Sequence, residues 1–233
     1  MIDFHTHILP KIDDGSKNKD MSISMLEILE KSDITDVVLT PHFYSDTESL
    51  NDFISKRNEI YNEFINEYRG NIKLHLGAEV YISNYLSNYE DLTKVCIDEK
   101  DYMLLELPFN NRLSDSEYQI IEMLIYDHNI KPIIAHIERY PFININKDLK
   151  VIDELISMGC LIQVNADSFL LSNKSKKFVL SLIEDDMAHL IGSDTHNITT
   201  RPPNYNEAIK IIKSELGQEY LNKIREYEKM VIK

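Results

Sequence analysis

Apolar, β-type segments alternate with amphipathic helical stretches about seven times along the 233-residue chain. The connections are short, and parallel strands joined by helical crossovers are what such alternation builds. Strands are predicted at the start of the chain, where Ile2, Phe4 and Ile8 are apolar, and over residues 35–41, 71–80, 102–107, 131–136, 160–165 and 187–194. Helices are predicted from a Ser16 cap to about Lys31, over 48–68 with Gly70 closing it, and over 116–128, 148–158, 174–184, 205–216 and 219–227. Residues 85–100 are less periodic and are expected to form a loop with a short helix or strand. No linker or low-complexity tract divides the chain. The expectation is an α/β fold, a single domain over residues 1–233 in which strands and helices close into a barrel with one irregular unit.

Residues able to bind a metal ion sit where these strands end. His5 and His7 alternate in the first strand, so both are predicted on one face. Asp14 lies in the loop that follows, and His42, Glu79, Glu106, His136, then Asp194 and His196 mark the ends of five later strands. Only the strand at 160–165 lacks such a residue. In a parallel barrel these ends converge on one face, so ligands scattered in sequence become neighbours in space. Nine ligands are too many for one ion; two or three are implied. Imidazole and carboxylate without thiolate suit manganese, zinc or iron, and manganese is preferred. Three divalent cations would outweigh the charges of Asp14, Glu79, Glu106 and Asp194 and leave positive charge to match a phosphate dianion. Such ions acidify bound water and clamp phosphate oxygens. Arg139 and Arg201 each follow a ligand-bearing strand, and a guanidinium fork matches phosphate.

The composition narrows the alternatives. A net charge of −14 argues against nucleic acid or anionic lipid as the main partner, and would repel a phosphorylated substrate unless cations invert the local field. No apolar run approaches the ~20 residues of a membrane span, and no basic-then-apolar leader is visible, so a cytoplasmic location without membrane insertion is expected. Cys96 and Cys160 fit a reducing compartment. Neither begins a Cys-x5-Arg loop, since Tyr102 and Ala166 stand where arginine would be needed, so both are expected to be packing residues. There is no GxSxG elbow and no GK[ST] phosphate loop.

The motifs MIDFHTHILPKIDDG, VVLTPH, LGAEVY, YMLLELP, PIIAHIERY, MGCLIQVN and HLIGSDTHNITTRPP run essentially from end to end. Together they resemble the metal-dependent protein-tyrosine phosphatases of bacterial capsule and exopolysaccharide operons, the CpsB/CapC type, within the polymerase-and-histidinol-phosphatase (PHP) superfamily. The resemblance implies a distorted (β/α)7 barrel with a three-ion, usually manganese (Mn2+), centre. It implies one ion held by His5, His7, Glu79 and Asp194, a second by Glu79, Glu106 and His136, and a third by Asp14, His42 and His196. Arg139 and Arg201 match its phosphate-binding arginines. It further implies phosphotyrosine on a bacterial tyrosine kinase tail as substrate, attacked by metal-bound hydroxide, and it allows a homo-oligomer. Residues 43–45 and 84–100 are less characteristic and are candidates for shaping substrate choice.

Other readings compete. A PHP-type enzyme could act on a small phosphomonoester such as histidinol phosphate, and a degenerate relative could bind phosphotyrosine without turnover. An amidohydrolase also begins with His-x-His, but its usual bridging lysine has no strand-end candidate here. His75, His128 and His189 are expected to be structural.

Overall fold

The computed structural model describes residues 1–32, 34–145 and 148–232. Strand β1 (Ile2–Thr6) pairs in parallel with β2 (Asp36–Leu39), and β2 with β4 (Lys73–Leu76). A second ladder runs from β3 (His42–Phe43) through β5 (Glu79–Tyr81), β6 (Tyr102–Glu106), β7 (Lys131–Ile134) and β8 (Leu161–Asn165) to β9 (Leu190–Gly192), parallel throughout. Two of the predicted strands are broken in the middle. Thr40-Pro41 separates β2 from β3, because proline has no N–H for the ladder. Gly77-Ala78 separates β4 from β5 beside it, and the main chain stays in register through Gly77 N–H to the Leu39 carbonyl at 2.9 Å and Glu79 N–H to the Pro41 carbonyl at 3.0 Å. The nine segments therefore trace seven strands. The last returns to the first: Thr6 bridges Thr195, Asp194 N–H donates to the His5 carbonyl at 2.7 Å, and His7 N–H to the Thr195 carbonyl at 2.9 Å. This is the distorted (β/α)7 barrel.

Among the described residues, eight α-helices accompany the strands: α1 (Lys19–Glu30), α2 (Leu50–Glu67), α3 (Asp115–Tyr126), α4 (Pro141–Asn144), α5 (Lys150–Ser157), α6 (Asn173–Glu184), α7 (Tyr205–Glu215) and α8 (Gln218–Val231). The apolar residues separate into two buried groups. Phe4, Val38, Leu104, Ile133, Leu161 and Leu190 belong to one that plugs the barrel. Val37, Leu39, Met103, Leu105, Ile162 and Val164 join the larger group shared with the helices. Alternation along each strand produces that division. α7 and α8 pack on the N-terminal end of the barrel, where Ile2 N–H donates to Glu228 Oε1 at 3.1 Å and the Tyr205 hydroxyl donates to the Ile2 carbonyl at 2.8 Å.

Several boundaries differ from the sequence expectation. α1 is capped by Asn18, whose side chain accepts the Met21 N–H, whereas the Ser16 hydroxyl turns to the Asn18 carbonyl. α2 ends on Tyr68 in extended conformation, so Gly70 does not close it. α3 starts one residue before the predicted position, with a capping box between Ser114 and Glu117. Gly159 does terminate α5, at φ +99°, the left-handed conformation glycine adopts without strain. The 85–100 segment forms short 3₁₀ turns at Asn84–Asn88, Thr93–Val95 and Ile97–Glu99. Its last turn explains His75, whose Nδ1 meets Asp98 at 2.7 Å and whose Nε2 meets Asp36 at 2.9 Å. His75 pins the irregular segment to β2. His189, expected inside a strand, lies just before β9.

Burial would lower the pKa of His75, but its hydrogen bonds to Asp98 and Asp36 raise it above the ordinary value. The folded state therefore binds this proton more tightly than the unfolded chain. That stability is fully present below about pH 6.5 and is lost as pH rises through the folded value. His75→Gln should cost about 1–3 kcal/mol at pH 6 and distinctly less at pH 9, measured by urea denaturation at both pH values. An equal loss at both would show that His75 acts only by filling space.

Candidate metal centre

The loop after β1 is built to aim carboxylates back over the strand end. Ser16 N–H donates to the His7 carbonyl at 3.0 Å and Lys11 N–H to the Ser16 carbonyl at 2.8 Å, which closes the loop. A Cβ on Gly15 would lie 2.2 Å from the His7 carbonyl oxygen, so only glycine fits. Asp13 then accepts from His7 Nδ1 at 2.8 Å and from the His42 N–H at 3.2 Å. Asp14 projects beyond it, 3.6 Å from His42 Nε2 and 3.4 Å from His196 Nε2. Across the barrel, Asn197 accepts the N–H groups of Thr199, Thr200 and Arg201 at 2.7–3.2 Å, which fixes the loop carrying His196 and Arg201. His136 at φ 33° and Asp194 at φ 51° sit in left-handed conformations, which non-glycine residues adopt at a cost.

All nine strand-end residues named from the sequence meet here. Their donor atoms fall into four overlapping groups: His7, Asp14, His42 and His196; His5, Glu79 and His136; His5, His7 and Asp194; and His42, Glu79 and Glu106. Glu79 is the hub, with 1% of its surface exposed. Its Oε2 lies 3.1 Å from His5 Nε2, 3.2 Å from His7 Nε2 and 3.0 Å from His42 Nδ1, and its Oε1 lies 3.0 Å from His136 Nε2. The donor set fits cations rather than a proton network. His5 Nε2 and His7 Nε2 face each other at 3.1 Å. Glu79 Oε2, His42 Nδ1, His136 Nδ1 and His196 Nε2 are buried without an aligned hydrogen bond. Lone pairs converging in a buried space are what a metal ion satisfies, and manganese, zinc or iron would accept this mixture.

The strand without a ligand supplies the layer behind them. Gln163 Oε1 meets His5 Nδ1 at 3.3 Å and accepts the His136 N–H at 2.8 Å, and Gln163 Nε2 donates to Asn165 Oδ1 at 2.9 Å. Asn165 Nδ2 in turn donates to Asp194 Oδ2 at 2.8 Å. Neither residue was singled out from the sequence, nor was Asp13. Two polar side chains spaced i, i+2 within an otherwise apolar strand were the available signal. Gly192 makes room for this layer, since a Cβ there would come within 2.4 Å of His5 Cβ.

Arg139 and Arg201 both converge on Asp194, through Nη1 at 2.8 Å to Oδ2 and Nη2 at 2.6 Å to Oδ1. Their side chains stay 40% and 37% exposed, so the guanidinium groups reach the open mouth of the site. Cys96 and Cys160 are buried and free, with thiols pushed up to about 12 by burial, and so are not nucleophiles. No described helix is long and apolar enough to cross a membrane.

The charges are strongly coupled. Burial alone would raise Glu79, but the surrounding histidines hold it well below the ordinary carboxylate range. Burial would lower His7, yet its hydrogen bond to Asp13 and the negative charges of Asp13 and Glu79 bring it up to about 10. Glu106 is pushed up to about 7, first by burial and then by the charge of Glu79. A cation must displace the His7 proton at neutral pH, and the Glu106 proton as well below about 7. Manganese affinity should therefore fall by about tenfold or more per unit as pH is lowered from 8 to 6, read by titrating metal-stripped protein against a metal indicator. A flat profile would mean that these groups are not ligands. Glu79→Ala should abolish stoichiometric metal content, and Gln163→Leu should weaken affinity by roughly 10–100-fold through loss of ligand orientation. Unchanged metal binding in Gln163→Leu would remove that residue from the site.

The sequence comparisons agree with this architecture. The family model described as capsular polysaccharide synthesis, CpsB/CapC, matches residues 1–232. The tyrosine-protein phosphatase YwqE of Bacillus subtilis is 31% identical over 234 residues, covering 94% of this chain and 86% of YwqE. The tyrosine-protein phosphatase CpsB of Streptococcus agalactiae is 28% identical over 233 residues, covering 96% and 94%. A solved structure from work on YwqE of Bacillus subtilis and CpsB of Streptococcus pneumoniae, described as metal-dependent tyrosine phosphatases, superposes with a TM-score of 0.84 at 26% identity, covering 100% of this chain and 94% of that one. With a fold and an end-to-end match in common, the chain belongs to the CpsB/CapC family of capsular polysaccharide synthesis.

Proposed function

We propose that this chain is a manganese-dependent protein-tyrosine phosphatase, acting on the phosphorylated tail of a bacterial tyrosine kinase that governs capsule or exopolysaccharide synthesis. The observation that carries this is the meeting of nine donors, all but Asp14 buried or half-buried, with two arginines on one barrel face. Three ions are assigned to His5, His7, Glu79 and Asp194; to Glu79, Glu106 and His136; and to Asp14, His42 and His196, with Glu79 shared. When bound, the cations offset the carboxylate charge and acidify a water molecule that serves as nucleophile.

The protein's own groups do the rest. Arg139 and Arg201 take phosphoryl oxygens in their planar forks and stabilise charge as it moves toward the leaving oxygen. Asp194 holds both guanidiniums, and Asn165 holds Asp194, so the arginines are oriented before substrate arrives. Tyrosinate is a good enough leaving group, with an ordinary pKa near 10, to depart without a strong general acid. No thiol or hydroxyl nucleophile is required, so the phosphoryl group goes straight to water.

Metal-stripped protein should hydrolyse a phosphotyrosine peptide only after manganese is added back, with little release from a phosphoserine peptide or histidinol phosphate run beside it. Preference for histidinol phosphate would overturn the substrate, and no release with metal bound would favour a binding module. Arg139→Ala and Arg201→Ala should each lower kcat by roughly 10²–10³-fold while metal content stays unchanged. Loss of metal in either variant would reassign that arginine to holding the centre together through Asp194.

A further inference from the structure

The rim of the cluster is aromatic on two sides. Tyr44, two residues past His42, stacks on the His42 ring with centroids 5.2 Å apart and planes at 29°. Phe109, three residues past Glu106, stacks on the His136 ring at 5.8 Å and 29°. His42 and His136 approach opposite oxygens of Glu79, Oε2 and Oε1, each at 3.0 Å. The two rings therefore belong to different flanks of one buried carboxylate.

Both rings are held in place yet left in water. Tyr44 is 38% exposed and is backed by Tyr81 at 5.7 Å. Phe109 is 47% exposed and is backed by Tyr140 at 5.1 Å, with the Arg139 guanidinium carbon 5.5 Å from its centroid. Half-exposed apolar rings that are fixed from behind gain little from folding but are well placed to cover an apolar group of a ligand.

We propose that Tyr44 and Phe109 are specificity-determining walls that grip the aromatic ring of the substrate and favour aryl over alkyl phosphate monoesters. This rests on the phosphatase function above. In phosphotyrosine a single ester oxygen separates phosphorus from the ring. A phosphoryl group taken by Arg139 and Arg201 carries that ring past the side chains flanking the cluster, and Phe109 already lies against Arg139. Phosphoserine offers only a methylene at the same height and gains no ring contact. Aromatic pairing of this kind is worth roughly two- to tenfold per contact in affinity.

The test is calorimetric binding of phenylphosphonate and methylphosphonate to the manganese-loaded protein. Wild type should bind phenylphosphonate about tenfold or more tightly than methylphosphonate. Tyr44→Ala and Phe109→Ala should each lose roughly two- to tenfold of that preference, with methylphosphonate affinity and metal content unchanged, and Tyr44→Phe should retain it. Equal affinity of wild type for the two phosphonates would overturn the proposal. So would a proportional loss of both in the alanine variants, since the rings would then act by holding His42 and His136. Failure of both phosphonates to bind the loaded wild-type protein would instead overturn the phosphatase function itself.

Discussion

The carboxylate of Glu79 is the interaction on which the site depends. An anion with 1% of its surface exposed is costly to bury unless opposite charge surrounds it. Four histidines from three different strand regions reach its two oxygens within 3.0–3.2 Å. Each of those regions must end at the correct height for this to happen. The interruptions at Thr40-Pro41 and Gly77-Ala78 then have a purpose: they shift His42 and Glu79 into short ladder segments of their own, paired to each other in register. A barrel of unbroken strands would place these two side chains by the pleat alone.

The barrel divides its labour between two ends. At the N-terminal end, α7 and α8 cover the opening and polar contacts are satisfied by Glu228, Tyr205 and the His75 pair of aspartates. At the C-terminal end, His136 and Asp194 adopt left-handed backbone and several ring nitrogens lack aligned partners. Unpartnered ring nitrogens therefore concentrate where chemistry is expected, and the remainder of the molecule supplies the stability that tolerates them.

Much of this was legible in the sequence, for a definite reason. A candidate ligand at a strand end is exposed to pattern recognition twice, once as a polar residue that stops an apolar run and once as a member of a set. His42, Glu79, Glu106, His136 and Asp194 all announce themselves in this way. Gln163 and Asn165 do not, because they lie inside their strand and act on His5, His136 and Asp194 through space. The convergence of Arg139 and Arg201 on Asp194 was equally hidden, since nothing in a linear spacing tells which anion a guanidinium will choose. The caps were misread at α1 because Ser16 and Asn18 are both good cap residues, and only the turn at Gly15 decides between them.

Asp194 also bears on turnover. It accepts from Arg139, Arg201 and Asn165 at 2.6–2.8 Å, so both guanidiniums already have an anionic partner before any phosphate arrives. In the proposed reaction a phosphate dianion shares those forks rather than meeting two unsatisfied cations. The gain on binding is then a difference between two ion pairs, smaller than the strength of either. The same difference governs the inorganic phosphate product, which keeps its charge after the ester bond has broken. In that proposed reaction an arginine pair tethered to a buried aspartate is oriented for the transition state without gripping the product strongly. That restraint serves an enzyme whose net charge of −14 leaves the metal-bearing face as the natural place for phosphate to collect.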